Sequence, residues 1–221
     1  MPQRRRRNDE FSKRLEERIE QALLAKVTPQ PKLPEGIISV VFTDVVESTA
    51  IVRRLGDSAA RELLRRHDEV VRETLAQHAG IEVERDGDGF LLAFTLASRA
   101  VAFTIALHRA IEERFATADE PIRLRIGVDT GEVLAEEKGY FGTTVIRASR
   151  IEGLAPPGGT LVSDATKVVA EPSLASAPDA IAFRPAGSFE LKGLTGTHAL
   201  FEVVEGAAGF GEPRLAAPSS A

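Results

Sequence analysis

The sequence predicts an α+β domain: a ferredoxin-like β-α-β-β-α-β core with a C-terminal αβ extension. Three observations predict it. An apolar, β-rich run, Ile37 to Phe42, opens the compact part of the chain. Two stretches with helical periodicity, 57–79 and 98–117, flank a pair of short apolar strands, Ile81 to Arg85 and Phe90 to Phe94. Asp86-Gly87-Asp88-Gly89 joins that pair as a hairpin, because glycine tolerates the positive φ of a tight turn. The order strand, helix, strand, strand, helix, strand puts helices on one face of a mostly antiparallel sheet.

The remaining elements follow in chain order. Residues 8–27 read as a short helix, with Phe11, Leu15, Ile19 and Leu23 recurring every fourth position. Pro29, Pro31 and Pro34 then form a stiff linker. In the first long helix the apolar positions are Leu63, Leu64, Val70, Val71 and Leu75, with Asp57 as N-cap and Gly80 as stop. Beyond the second long helix, Ile122 to Val133 reads as a strand, Thr144 to Leu154 as a helix and Thr160 to Val162 as a strand. Residues 171–180 read as a loop, and Ala182 to Leu191 and Ala199 to Val204 complete the sheet. From Gly206 onward Gly, Ala, Pro and Ser dominate, the composition of a disordered tail. The expected division is a head and linker over 1–35, a domain over 36–205 and a tail over 206–221. No internal repeat is visible.

Composition narrows the function. With 221 residues, 43% of them apolar, the chain can bury the core of one ordinary domain. It has no cysteine, which excludes disulfides and thiolate metal sites and fits a reducing compartment. No apolar run approaches the roughly 20 residues needed to cross a bilayer. The basic start, Arg4 to Arg7, is not followed by the apolar stretch of a secretory signal, so the expected location is cytoplasmic. Net charge is −5; residues 1–34 carry nine basic and five acidic groups, which leaves the body near −9. An acidic body argues against a nucleic-acid partner.

Three groups of residues can do chemistry. Phe42-Thr43-Asp44 ends a buried strand in a carboxylate, and the turn through Val45 to Thr49 leads into a helix. A carboxylate there can hold a divalent cation, and the N–H groups of the turn can face a phosphate. Taken alone, Asp44 equally suits a helix cap. Asp88 lies in the hairpin, where Asp-Gly is also ordinary turn chemistry. An EF-hand reading of Glu84, Asp86, Asp88 and Gly89 fails, since Thr95 stands where the twelfth-position Glu belongs and the flanks are strands. In a ferredoxin-like core the first strand lies beside this hairpin. Asp44 and Asp88 then meet and can bind two Mg²⁺ or Mn²⁺ ions. The third group is basic: Arg125 in a strand, Arg147 and Arg150 three residues apart on one face of a helix, and Lys192 at a late strand end. Guanidinium groups suit the charge that builds on phosphate oxygens. The histidines, at 67, 78, 108 and 198, lack ligand-like spacing and read as packing or surface residues.

Five segments occur in a telling order: Val41 to Thr49, Gly87 to Phe94, Arg125 to Val133, Tyr140 to Arg150, and Glu190 to Leu194. Together they resemble the catalytic domain of class III adenylate and guanylate cyclases of the actinobacterial type, over residues 36–205. The resemblance implies Asp44 and Asp88 as the metal aspartates, with Val45 in the metal set and Thr49 in the substrate-binding set. It implies Arg125 as a phosphate-binding arginine and Arg150 as the transition-state arginine given by the other protomer. Lys192 matches a lysine that reaches the terminal phosphates. The implied assembly is a head-to-tail homodimer with shared sites. The implied reaction is in-line attack of a ribose 3′-oxygen on the α-phosphorus of ATP or GTP, with loss of pyrophosphate.

Three positions depart from the family pattern. Glu84 stands where adenylate cyclases carry lysine, and is the residue typical of guanylate cyclases. A carboxylate accepts hydrogen bonds from guanine, whereas lysine donates to adenine N1. Gly139 replaces a second base-reading aspartate. Ile146 replaces the asparagine that orients the ribose. The alternative reading is therefore a degenerate homologue that binds nucleotide or dimerises as a regulatory domain. A diguanylate cyclase palm is a third reading, opposed by the absence of its Gly-Gly-acidic-acidic-Phe hairpin.

Overall fold

The computed structural model describes residues 33–206, apart from 119, 138 and 176–180. The helix expected over 8–27 and the tail beyond 206 lie outside the described residues. A seven-strand path organises the domain, which begins at Pro34. The first strand, β1 (Gly36–Val45), leads into α1 (Ser48–Leu55) and α2 (Asp57–Gln77). The hairpin β2 (Ile81–Asp86) and β3 (Gly89–Phe94) is followed by α3 (Ala97–Phe115). Then come β4 (Leu124–Glu136), β5 (Gly139–Phe141), α4 (Thr143–Leu154), β6 (Thr160–Ser163), α5 (Asp164–Leu174), β7 (Ile181–Glu190) and β8 (Thr197–Glu205). The sheet order is β2-β3-β1-β4-β6-β8-β7, with β5 paired to β4. Its first four strands form the expected ferredoxin-like core. Among the described residues only the β4–β6 pairing is parallel.

Strand alternation decides what each face of the sheet carries. Val41 and Val45 of β1, Phe90, Leu92 and Phe94 of β3, and Leu124, Ile126 and Val128 of β4 pack with α2, α3 and α5 into the main core. Phe103 and Leu107 of α3 sit at its centre, fully buried. The intervening residues face the other side, where α4 lies. Helix α4 can settle there because β4 presents glycine at 127 and 131 on that face. A Cβ on Gly127 would come within 2.1 Å of the Glu152 nitrogen, and one on Gly131 within 2.6 Å of Thr144 Oγ1.

Three sequence readings of the fold need correction. Asp57 is the first helical residue of α2, with Gly56 in the cap position and no side-chain cap hydrogen bond. The reading of 171–180 as a loop overlooks α5, which runs to Leu174 and contains Pro172. Ser163 caps that helix by accepting a hydrogen bond from the Thr166 N–H at 3.2 Å. The proline sits so near the C-terminus that the helix ends within a turn of it, which limits its disruption. Strand β5 has only three residues, too few to show a pattern, and emerges through pairing with β4. At the end of α2 the expected stop is built from two residues. Ala79 takes the left-handed conformation at φ 52°, and Gly80 packs against the core, where a Cβ would lie 2.2 Å from Leu75 Cδ1 and 2.6 Å from the Phe94 ring. No helix among the described residues is long and apolar enough to cross a membrane.

Candidate active site

Antiparallel pairing of β1 with β3 aligns Thr43 with Phe90, so Asp44 at the end of β1 arrives beside the β2–β3 turn that carries Asp88. Gly89 permits the approach: a Cβ there would stand 2.8 Å from the Thr43 carbonyl oxygen and 3.8 Å from Asp44 Oδ1. On its other side Asp44 is aligned with Arg125 of β4. Burial and then the charge of Asp88 push the Asp44 carboxyl above its usual range. Arg125 and the Val45 N–H, which donates to the Asp44 carboxylate, pull it back. Asp88 Oδ2 and Arg125 Nε are buried with no hydrogen-bond partner in the protein.

Those features fit a hard divalent cation. The donor set is all oxygen, one carboxylate raises the proton affinity of the other, and a buried carboxylate oxygen is left unsatisfied. Among the described residues no three His, Cys, Asp or Glu side chains form a ready-made metal cluster. Thr49 is exposed on the first turn of α1. That helix starts from Glu47, which holds φ 56° and gives no side-chain cap.

One acidic residue of the site was not foreseen. Glu152 of α4 lies over Gly127, two residues along β4 from Arg125. Burial, then the charge of Asp44 and, less strongly, Asp88 push its carboxyl up to about 7, against the opposing pull of Arg125. The available signal was the glycine pair at 127 and 131, which marks a helix seat. With α4 seated there, Ala148 and Glu152, one turn apart, both come against Gly127.

The basic cluster splits. Arg147 and Arg150, three apart on one helix, take different partners: Arg147 Nη1 donates to Asp129 Oδ2 at 2.9 Å. The Asp129 side chain is 0% exposed and that of Arg147 26% exposed. Arg147 is thus committed to an internal ion pair and does not face a phosphate. Arg150 is exposed, and its Nε donates to the Lys192 carbonyl oxygen at 3.3 Å. Lys192 is exposed beside it. Electrostatic coupling links Asp44, Asp88, Arg125 and Glu152, and a hydrogen bond links Arg150 to Lys192. The histidines behave as packing groups where they are buried: His67 is 0% exposed against Phe90, and His108 bonds to Thr160 Oγ1 at 3.0 Å.

The three departures from the family pattern sit as follows. Glu84 is exposed, aligned with Leu91 just past a bulge in β2. Gly139 is buried at φ 131°, a conformation L-residues rarely adopt, and the side chain nearest its missing Cβ is Val83 at 3.8 Å. Ile146 is 42% exposed on α4.

Residues 31–204 match the model of the adenylate and guanylate cyclase catalytic domain. An uncharacterized protein of Mycobacterium tuberculosis is 37% identical over 135 residues, 60% of this chain and 45% of its own. An adenylate cyclase of Neurospora crassa is 30% identical over 165 residues, 62% of this chain and 7% of its own. The chain thus spans less than half the length of these curated relatives. The solved adenylyl cyclase CyaB of P. aeruginosa matches with a TM-score of 0.67 at 21% identity, over 80% of this chain and 98% of that one. The guanylate cyclase domain of RhGC from Catenaria anguillulae, solved with GTP, matches at 0.64 and 23% identity, over 77% and 97%. At these identities the two structures speak to the fold.

Proposed function

The chain belongs to the adenylate and guanylate cyclase catalytic domain family, and we propose that it closes ATP or GTP into a 3′,5′-cyclic nucleotide at sites shared by two copies. The observation that carries this reading is the meeting of Asp44 and Asp88 across β1 and β3, with Arg125 aligned to Asp44. Asp44, the Val45 carbonyl and Asp88 would hold two Mg²⁺ or Mn²⁺ ions. Such ions, when bound, neutralise triphosphate charge and favour ionisation of the attacking hydroxyl.

The protein's own groups do the rest. Arg125 donates to phosphate oxygens from the same protomer, and the first turn of α1, with Thr49, offers N–H groups to them. Arg150 of the partner subunit stabilises charge on the α-phosphoryl group as the ribose 3′-oxygen bonds to phosphorus. The bond to pyrophosphate breaks in line, Lys192 neutralises the leaving group, and the 3′-hydroxyl proton passes to solvent. A head-to-tail pairing would bring Arg150 and Lys192 of one protomer to the aspartates of the other. Exposed Leu134, Phe141 and Ile146 give that contact an apolar component.

Glu84 gives the base pocket an acceptor, which favours guanine, while adenine can still donate its exocyclic amine. Gly139 supplies no side chain. The expected consequence is weak base selectivity. Ile146 favours a second reading, a nucleotide-binding regulatory domain, because an isoleucine cannot hydrogen-bond the ribose.

Mixing tests the shared site. An Asp44→Ala protomer and an Arg150→Ala protomer, each inactive alone, should regain activity when combined, since a heterodimer contains one complete site. Verified heterodimers without activity would contradict the composite arrangement.

A further inference from the structure

We infer that Glu152 is a third carboxylate of the cation site, acting through the water shell of the ion held by Asp44 and Asp88. This rests on the reading of those aspartates as cation ligands. The seat of α4 carries the inference. The Glu152 nitrogen and Cα come within 2.1 and 2.6 Å of where a Gly127 Cβ would be, on the sheet face opposite the main core. Gly127 is aligned with Phe42, and two residues on, Arg125 is aligned with Asp44. Side chains two apart along a strand share a face, so Glu152 stands over the row that ends in Arg125 and Asp44. It is electrostatically coupled to Asp44, Arg125 and Asp88.

Chemistry says what a carboxylate does there. Mg²⁺ keeps several of its waters and takes only one or two protein carboxylates directly. The protons of those waters need acceptors in a half-buried site. Glu152 supplies one and adds negative charge opposite Arg125. Asp44 and Asp88 already fill the one or two direct carboxylate positions that Mg²⁺ takes, so the contact assigned to Glu152 is through water. Groups of this kind orient the ions they do not touch, and their loss typically weakens metal binding about 10–100-fold.

The test is titration of the full chain with Mn²⁺ alone, following free Mn²⁺ by electron paramagnetic resonance, without nucleotide or turnover. Glu152→Gln, which keeps the shape, should raise the Mn²⁺ Kd about tenfold or more. Glu152→Leu should raise it further, and Glu152→Asp should retain most of the affinity. Melting curves without metal confirm that each variant is folded, and the Gln and Asp variants decide the matter if Leu does not fold. Wild-type Mn²⁺ affinity in Glu152→Gln overturns the inference. So does a variant that binds Mn²⁺ normally but loses affinity for nucleotide, which would assign Glu152 to holding Arg125. A wild-type chain that binds no Mn²⁺ would sink the metal reading itself and this inference with it. That outcome is distinct from equal binding by wild type and variant.

Discussion

Asp44→Ala or Asp88→Ala should lower metal-dependent cyclisation about a thousandfold while leaving the fold intact. The magnitude follows from what the pair is asked to do. Cations at developing charge contribute several kcal/mol to transition-state stabilisation, and each 1.36 kcal/mol is tenfold in rate. The fold should survive because both residues lie at element ends, outside the core. The sign of the stability change is informative. Burial and Asp88 raise the Asp44 carboxyl, so the folded chain binds that proton more tightly than the unfolded chain. Above the raised value the ionised group disfavours folding. Without metal at neutral pH, the isosteric Asp44→Asn should therefore melt at the wild-type temperature or above it. Activity lost together with unchanged or improved melting marks a group kept for function. Near wild-type turnover in either alanine variant would refute the two-metal assignment.

Arg147→Met should cost about 3–5 kcal/mol of stability, because it leaves the carboxylate of Asp129 in the interior without its cation. Asp129 has 0% exposure and cannot recruit solvent in place of the guanidinium. Burial already pushes its carboxyl up; the Ser163 hydroxyl and Arg147 oppose that push. At this chain length the loss corresponds to about 10 °C in Tm. The double variant Asp129→Leu with Arg147→Met should recover most of it, since an apolar pair of similar volume carries no desolvation cost. Thermal melts of the three variants check this. An Arg147→Met Tm within about 1 °C of wild type would show that the pair contributes no more than an exposed ion pair.

These two cases show what could be read from the chain and what could not. Asp44 and Asp88 are 44 residues apart, yet a strand ending in Asp, an Asp-Gly hairpin and a ferredoxin-like order were enough to bring them together. The long helices and the core strands carried their own periodicity. Asp129 and Arg147 gave no such cue. Arg147 and Arg150 look alike along a helix, and only the seat of α4 on β4 sends one inward and leaves the other exposed. Glu152 was missed for the same reason: its role depends on how closely a helix approaches Gly127. Helix α5 was obscured by Pro172, a local signal overridden by the Ser163 cap and burial of Ala170 and Leu174. Gly139 also changes meaning. In sequence it is a lost base contact, whereas at φ 131° it is a backbone requirement that Gly139→Asp would strain. The base question is therefore better put to Glu84 alone.

The central claim is that this chain turns a purine nucleoside triphosphate into a cyclic nucleotide. Chromatography of the purified full chain incubated with ATP or GTP and Mn²⁺ or Mg²⁺ tests it most directly. The account predicts a 3′,5′-cyclic nucleotide and an equal amount of pyrophosphate, with product from GTP as well as ATP. Nucleotide that is bound but returned unconverted under all four conditions would contradict it and leave the regulatory reading in its place.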